Sequence, residues 1–148
     1  MATIKSISNI EQTATLAKEL AASLKGGEVL GLVGELGAGK TTLVQFLARE
    51  LGVKEKVLSP TFVLMKIYSI KNSKSPIKNI VHVDAYRLNN SAELKNIGLP
   101  EYFNKKDTVV IIEWADKVKD LLPQDVIIIN LREGSLEGER IIEINSKS

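Results

Sequence analysis

The first clear periodicity along the chain is helical. Ile10, Ala14, Ala17, Leu20, Ala21 and Leu24 fall on one stripe, and Ser8-Asn9-Ile10-Glu11 ahead of them has the form of a capping box. Gly26-Gly27 ends that pattern. Val29–Val33 is then a short continuous apolar run, the form expected of a strand buried on both faces. Residues 41–51 read as a second helix, closed by Gly52. Residues 62–70 and 80–84 read as strands, forming an antiparallel pair around a polar stretch at 71–78 that predicts a mobile loop. Asn90-Ser91-Ala92-Glu93 is a second capping-box pattern, opening a short helix that ends near Gly98-Leu99-Pro100.

Residues 109–112 form another apolar strand, and a short helix over 116–122 is stopped by Pro123. Residues 126–131 and 140–144 predict a hairpin around Gly134 and Gly138, closing the chain over 126–145. Strands alternating with helices imply an α/β fold. The expected sheet is mixed, with a parallel core, antiparallel edge strands and helices on both faces. At 148 residues the chain has the size of one domain, 1–148.

Composition narrows the picture only a little. The chain is 44% hydrophobic and 26% charged, with a formal charge of +2, too mild to argue for nucleic-acid or membrane binding. The absence of cysteine excludes disulfides and thiolate metal sites. The start is polar, and no apolar run approaches the ~18 residues of a membrane span. A soluble, cytoplasmic protein is expected.

The candidate chemistry lies after the first buried strand. Gly34-Glu35-Leu36-Gly37-Ala38-Gly39-Lys40-Thr41 fits G-x-x-x-x-G-K-[ST] residue for residue. Glycine lets successive backbone N–H groups curl around phosphate oxygens, and the helix that follows adds the positive end of its dipole. Lys40 is placed to reach the β- and γ-phosphates, the Thr41 hydroxyl to bind Mg²⁺, and Thr42 to donate to a phosphate. The expected fold is therefore that of a P-loop NTPase.

Such a site also needs a carboxylate for the metal and a group to orient the attacking water. Asp84 and Glu113 each end an apolar strand. Four apolar residues before Glu113 slightly favour it for Mg²⁺, leaving Asp84 to position or deprotonate water, although the two roles can be exchanged. Alternation puts His82 on the same strand face as Asp84, where it reads as a hydrogen-bonded support for Asp84 more than as a catalyst. Thr61, in Ser59-Pro60-Thr61-Phe62, is either a switch residue sensing Mg²⁺ and the γ-phosphate or an ordinary strand-starting threonine. Trp114 is either a core or interface tryptophan or a neighbour of the nucleotide.

Asn104-Lys105-Lys106-Asp107 spells a guanine-reading N-K-x-D, but it precedes its strand instead of following it. ATP is therefore expected over GTP.

Four blocks in order resemble the TsaE (YjeE) family, the ATPase of bacterial tRNA threonylcarbamoyladenosine formation. They are the phosphate loop through Thr42, Ser59-Pro60-Thr61-Phe62, His82-Val83-Asp84-Ala85-Tyr86-Arg87-Leu88, and Ile112-Glu113-Trp114-Ala115-Asp116. Glu93-Leu94 through Gly98-Leu99-Pro100-Glu101-Tyr102 also looks like this family, and the likeness spans about residues 10–120. The phosphate loop alone indicates a superfamily; the His-Asp-Tyr-Arg block and the Glu-Trp pair make the likeness specific.

The resemblance implies an accessory ATPase that uses ATP and Mg²⁺ to drive or reset a two-subunit threonylcarbamoyl transferase complex, meeting tRNA only indirectly. It further implies that Lys40, Thr41 and Thr42 bind phosphate and Mg²⁺, that Asp84 and Glu113 serve hydrolysis, and that Trp114 lies near the nucleotide. Glu35, Leu36, Gly37, Ala38 and Gly39 complete the phosphate-binding set. Two other functions share these motifs: a small-molecule kinase of the P-loop class, and a nucleotide-dependent binding module without turnover.

Overall fold

A computed structural model describes residues 2–35, 39–72 and 74–145. The elements run β1 (Ala2–Ile7), α1 (Ile10–Ser23), β2 (Val29–Val33), α2 (Lys40–Leu51), β3 (Met65–Ser69), β4 (Asn79–Asp84) and α3 (Ala92–Asn96). A 3₁₀ segment Leu99–Tyr102, β5 (Thr108–Glu113), a 3₁₀ segment Ala115–Leu121, β6 (Ile127–Glu133) and β7 (Arg140–Asn145) follow.

The strands form one seven-stranded sheet in the order β1-β7-β6-β2-β5-β4-β3. The four central strands are parallel, while β7, β1 and β3 are antiparallel to their neighbours. The sheet is thus mixed with antiparallel edges, as the sequence predicts. One face carries Leu30, Leu32, Ile80, Ile111 and Ile129 into a core with Leu16, Leu20, Leu43 and Leu47 of α1 and α2. The other carries Val81, Val83, Val110 and Ile112 against Leu94 of α3, Leu99 and Val118. Burial on both faces explains why β2 and the body of β5 read as unbroken apolar runs.

Several local expectations are revised. β1 was not anticipated, because it is an edge strand whose side chains are exposed except at Ile7. Backbone pairing with β7 holds it, and such pairing leaves no alternation in the sequence. The cap of α1 is Asn9, one residue later than the Ser8 pattern suggested: its side chain accepts from the Gln12 N–H at 2.9 Å, and the Gln12 side chain accepts from the Ser8 N–H at 2.6 Å. Before α3 the leading residue of the second box does bond the helix start: the Asn90 side chain accepts from the Ala92 N–H at 2.9 Å. The Ser91 hydroxyl donates to Asp120 at 2.6 Å, tying α3 to the second 3₁₀ segment. The helix expected over 116–122 is this 3₁₀ segment, interrupted at Val118. β3 begins at Met65 and not at residue 62, because 60–64 form a turn in which the Leu64 N–H donates to the Pro60 carbonyl at 2.7 Å. From the polar stretch at 71–78, Ile77 is buried in the core.

Asn9→Ala should cost about 1 kcal/mol of stability in chemical denaturation, the usual loss when an N-cap side chain is removed. Ser8→Ala should leave stability within about 0.5 kcal/mol. The opposite order would return the cap to Ser8.

Candidate functional site

The parallel pairing of β2, β5 and β4 aligns the carboxyl ends of three strands. In the β4–β5 register Asp84 stands opposite Glu113, and in the β2–β5 register Leu32 stands opposite Glu113. Just past the end of β2 the chain enters the phosphate-loop motif, and Lys40 opens α2. Its N-cap is Gly39, in the left-handed region at φ 96°, with no side-chain hydrogen bond closing the helix end. An open N-terminus of a 12-residue helix is suited to an anion. Leu36, Gly37 and Ala38 lie outside the described residues.

These elements enclose an open cleft of about 480 Å³ lined by Gly39, Lys40, Thr41, Thr42, Ser59, Thr61, Asp84, Tyr86, Glu113 and Trp114. Lys40, Asp84 and Glu113 are 5%, 4% and 2% exposed, so all three charged groups are nearly removed from water. Each must be compensated. The Lys40 ammonium donates to the Gly34 carbonyl and, at 2.8 Å, to that of Glu35, and it lies 4.1 Å from the centre of the Trp114 ring. Glu35 therefore enters the site through its backbone, its side chain being exposed.

Asp84 accepts from the Ser59 hydroxyl and, at 2.9 Å, from the Thr61 hydroxyl on one oxygen. Its other oxygen accepts from the Tyr86 N–H at 2.9 Å. Glu113 accepts from the Thr41 hydroxyl at 2.8 Å on one oxygen, while its other oxygen lies 2.6 Å from Nε2 of His82.

The partner of His82 is thus Glu113, not Asp84 as same-face alternation on one strand suggested. In the register His82 faces Ile111 and Asp84 faces Glu113, so His82 is the diagonal neighbour of Glu113 across the ladder. Both Asp84 oxygens are already taken by the loop at 59–61 and by Tyr86.

Ser59 and Tyr86 were not singled out from the sequence as site residues. A serine two positions before Thr61 was the available signal for the first. The second contributes a backbone N–H, which no residue type announces. Trp114 adopts φ 60°, ψ 41°, a left-handed conformation that a bulky residue seldom takes and that costs on the order of 1–2 kcal/mol. The turn swings its indole over Lys40 and into the cleft, where Tyr86 packs at 5.0 Å between ring centres.

A second cleft, of about 310 Å³, lies on the other side of the first turn of α2. Gly39 and Thr42 line both clefts; the second is otherwise walled by α1 at Asn9, Ile10 and Thr13, by Leu43, by Leu131 of β6, and by the Arg140 and Ile142 side of β7. Asn104 to Asp107 is elsewhere. The carbonyls of Lys105 and Lys106 approach Gly27 and Gly26 at the amino ends of β2 and β5, opposite the phosphate loop.

The cleft suits Mg²⁺ and a polyphosphate by its donors. Two buried carboxylates and a hydroxyl are hard oxygen ligands, beside a buried ammonium. Among the described residues no three His, Cys, Asp or Glu side chains cluster as an all-protein metal cage. A few carboxylates completed by phosphate oxygens and water are the usual setting for Mg²⁺. No helix among the described residues is long and apolar enough to cross a membrane.

Comparison with known proteins identifies the family. The family model described as threonylcarbamoyl adenosine biosynthesis protein TsaE matches residues 7–142. The tRNA threonylcarbamoyladenosine biosynthesis protein TsaE of Bacillus subtilis is 39% identical over 132 residues, covering 88% of this chain and 78% of that protein. The protein of the same name from Rickettsia felis is 37% identical over 147 residues, covering 96% of this chain and 79% of that one. The crystal structure of Bacillus subtilis YdiB superposes with a TM-score of 0.80 at 31% identity, over 100% of this chain and 87% of its own. The P-loop NTPase-type fold expected from the sequence is the fold observed.

Burial pushes the Lys40 ammonium below the usual lysine range, opposed by the nearby charges of Glu113, Asp116, Asp84 and Glu35. Because the unfolded chain holds this proton to higher pH than the folded one, stability should rise as pH climbs through the lowered value toward the ordinary lysine value of 10.5. Denaturation of the wild type and Lys40→Met at neutral and alkaline pH should show the wild type gaining relative to the variant. A constant difference would mean that Lys40 is not desolvated as described.

Proposed function

We propose, from the premise that this chain belongs to the TsaE family of tRNA threonylcarbamoyladenosine biosynthesis, that it is a Mg²⁺-dependent ATPase. It acts on the two-subunit transferase that adds threonylcarbamoyl to tRNA, driving or resetting that complex and meeting tRNA only through it. The observation that carries the reading is the contact between the Thr41 hydroxyl and Glu113, made beside the buried Lys40 and Asp84 at the open end of α2.

Bound Mg²⁺-ATP supplies the phosphoanhydride to be cleaved and a divalent charge among its phosphates. The chain's own residues do the rest. Lys40 binds the terminal phosphates, Thr41 and Glu113 hold the metal, and Thr42 donates to phosphate. Residues 35–39 are assigned to phosphate binding on their motif alone. Asp84 orients the water, with Ser59 and Thr61 fixing its carboxylate. Thr61 would thereby be suited to a switch role, sensing a bound Mg²⁺ and γ-phosphate through its bond to Asp84. Trp114 shields Lys40 and lies beside the nucleotide.

We assign the purine to the second cleft, because Gly39 and Thr42 line both and a nucleotide can pass from one to the other around the start of α2. The guanine-like motif at Asn104 is remote from that cleft, which supports ATP over GTP.

A product assay with labelled ATP should release free phosphate, and Lys40→Ala should abolish the release while the domain remains folded. A phosphorylated acceptor would make the protein a kinase, and binding without turnover would make it a nucleotide-dependent module.

The two carboxylates should separate. Glu113→Gln should weaken the Mg²⁺ dependence of both binding and hydrolysis. Asp84→Asn should keep Mg²⁺-ATP affinity within a few-fold yet lower turnover by roughly 10²-fold, the scale of a lost water-positioning group. Mg²⁺ titration of the two variants checks this, and the reverse pattern would exchange their roles.

A further inference from the structure

His82 is wholly buried, and only one of its ring nitrogens has work in the described structure. Nε2 lies 2.6 Å from the outer oxygen of Glu113, while Nδ1 has no hydrogen-bond partner among the described residues. A carboxylate can only accept, so Nε2 carries the proton that faces it. Nε2 is therefore the donor of this buried bond, and Nδ1 takes no part in it.

Glu113 has two oxygens and two partners. Thr41 takes the oxygen that faces the start of α2, and His82 takes the other. Without His82 the carboxylate could rotate about its terminal torsion, which has broad minima.

We propose that His82 is a positioning residue: by donating from Nε2 it pins one oxygen of Glu113, so that the other is presented to Thr41 and to the metal. The assignment rests on the Mg²⁺-ATPase reading for its consequence, but not for its geometry. Its site is the β4–β5 ladder, where the diagonal placement of 82 and 113 makes the bond possible. His82 touches no substrate and transfers no proton to one.

The experiment has two independent arms. The chain contains a single histidine, so its ¹⁵N ring signals need no assignment. Without nucleotide, NMR should show a proton on Nε2 engaged in a hydrogen bond; a ring with Nε2 unprotonated would overturn the proposal. The second arm compares His82→Gln, whose amide N–H₂ can reach as Nε2 does, with His82→Leu, which fills the space without a donor.

The leucine variant should need roughly 10-fold or more Mg²⁺ for half-maximal nucleotide binding, the usual effect of losing a partner that orients a metal ligand. Nucleotide binding measured in excess EDTA should be unchanged. The glutamine variant should stay within a few-fold of wild type in both. Equal Mg²⁺ dependence in a folded leucine variant, or equal loss in both variants, would overturn the positioning role. If wild type shows no Mg²⁺-dependent nucleotide binding at all, the ATPase reading fails, while the NMR measurement still judges the His82–Glu113 bond.

Discussion

Two carboxylates side by side at the ends of parallel strands, almost without water, are the feature around which the rest is arranged. Asp84 and Glu113 are opposite one another in the β4–β5 register, and neither could remain buried as an uncompensated charge. Asp84 is held by Ser59, Thr61 and the Tyr86 N–H; Glu113 is held by Thr41 and His82. Those partners come from the segment at 59–61 leading into the 60–64 turn, the strand exit after β4, the head of α2 and β4 itself. The same bonds that make the acids tolerable therefore tie together the segments that form the cleft. Lys40 adds a buried positive charge whose own desolvation is only partly offset by those acids.

The sheet topology determines what can reach this pair. β2 lies between β5 and β6, so the start of α2 emerges with the carboxylate strands on one side and the β6–β7–β1 edge on the other. That is why two clefts share Gly39 and Thr42. Binding at the carboxyl ends of strands where the sheet branches is the common geometry of open α/β folds. The strained turn at Trp114 serves the same arrangement: an extended continuation of β5 would carry the indole away from Lys40, whereas the left-handed residue returns it over the ammonium. Such strain at a site lining residue is of the kind that function retains.

Much of this was legible in the residues. Continuous apolar runs marked β2 and β5, because strands covered on both faces can contain little else. The phosphate loop and the acids at the strand ends were readable because local spacing alone brings a helix start and a strand end into view. Less local features were not. β1 is an exposed edge strand held by backbone bonds, so its side chains carry no pattern. The cap at Asn9 depended on competition, since Gln12 closes back on Ser8, and the bond from Ser91 to Asp120 joins residues 29 apart in the chain.

The amino-acid sequence by itself determined which chemical groups stand at the ends of the central strands and that a glycine-rich loop precedes α2, since both follow from short-range order along one chain. Only the tertiary structure decided how those groups pair. That His82 meets Glu113 and not Asp84 depends on the alignment of β4 with β5, and that Ser59 and Thr61 meet Asp84 depends on the turn that folds across the end of β4. A side chain's face follows from period-two alternation within its strand, but its partner is set by the register of the next strand, which no single strand encodes.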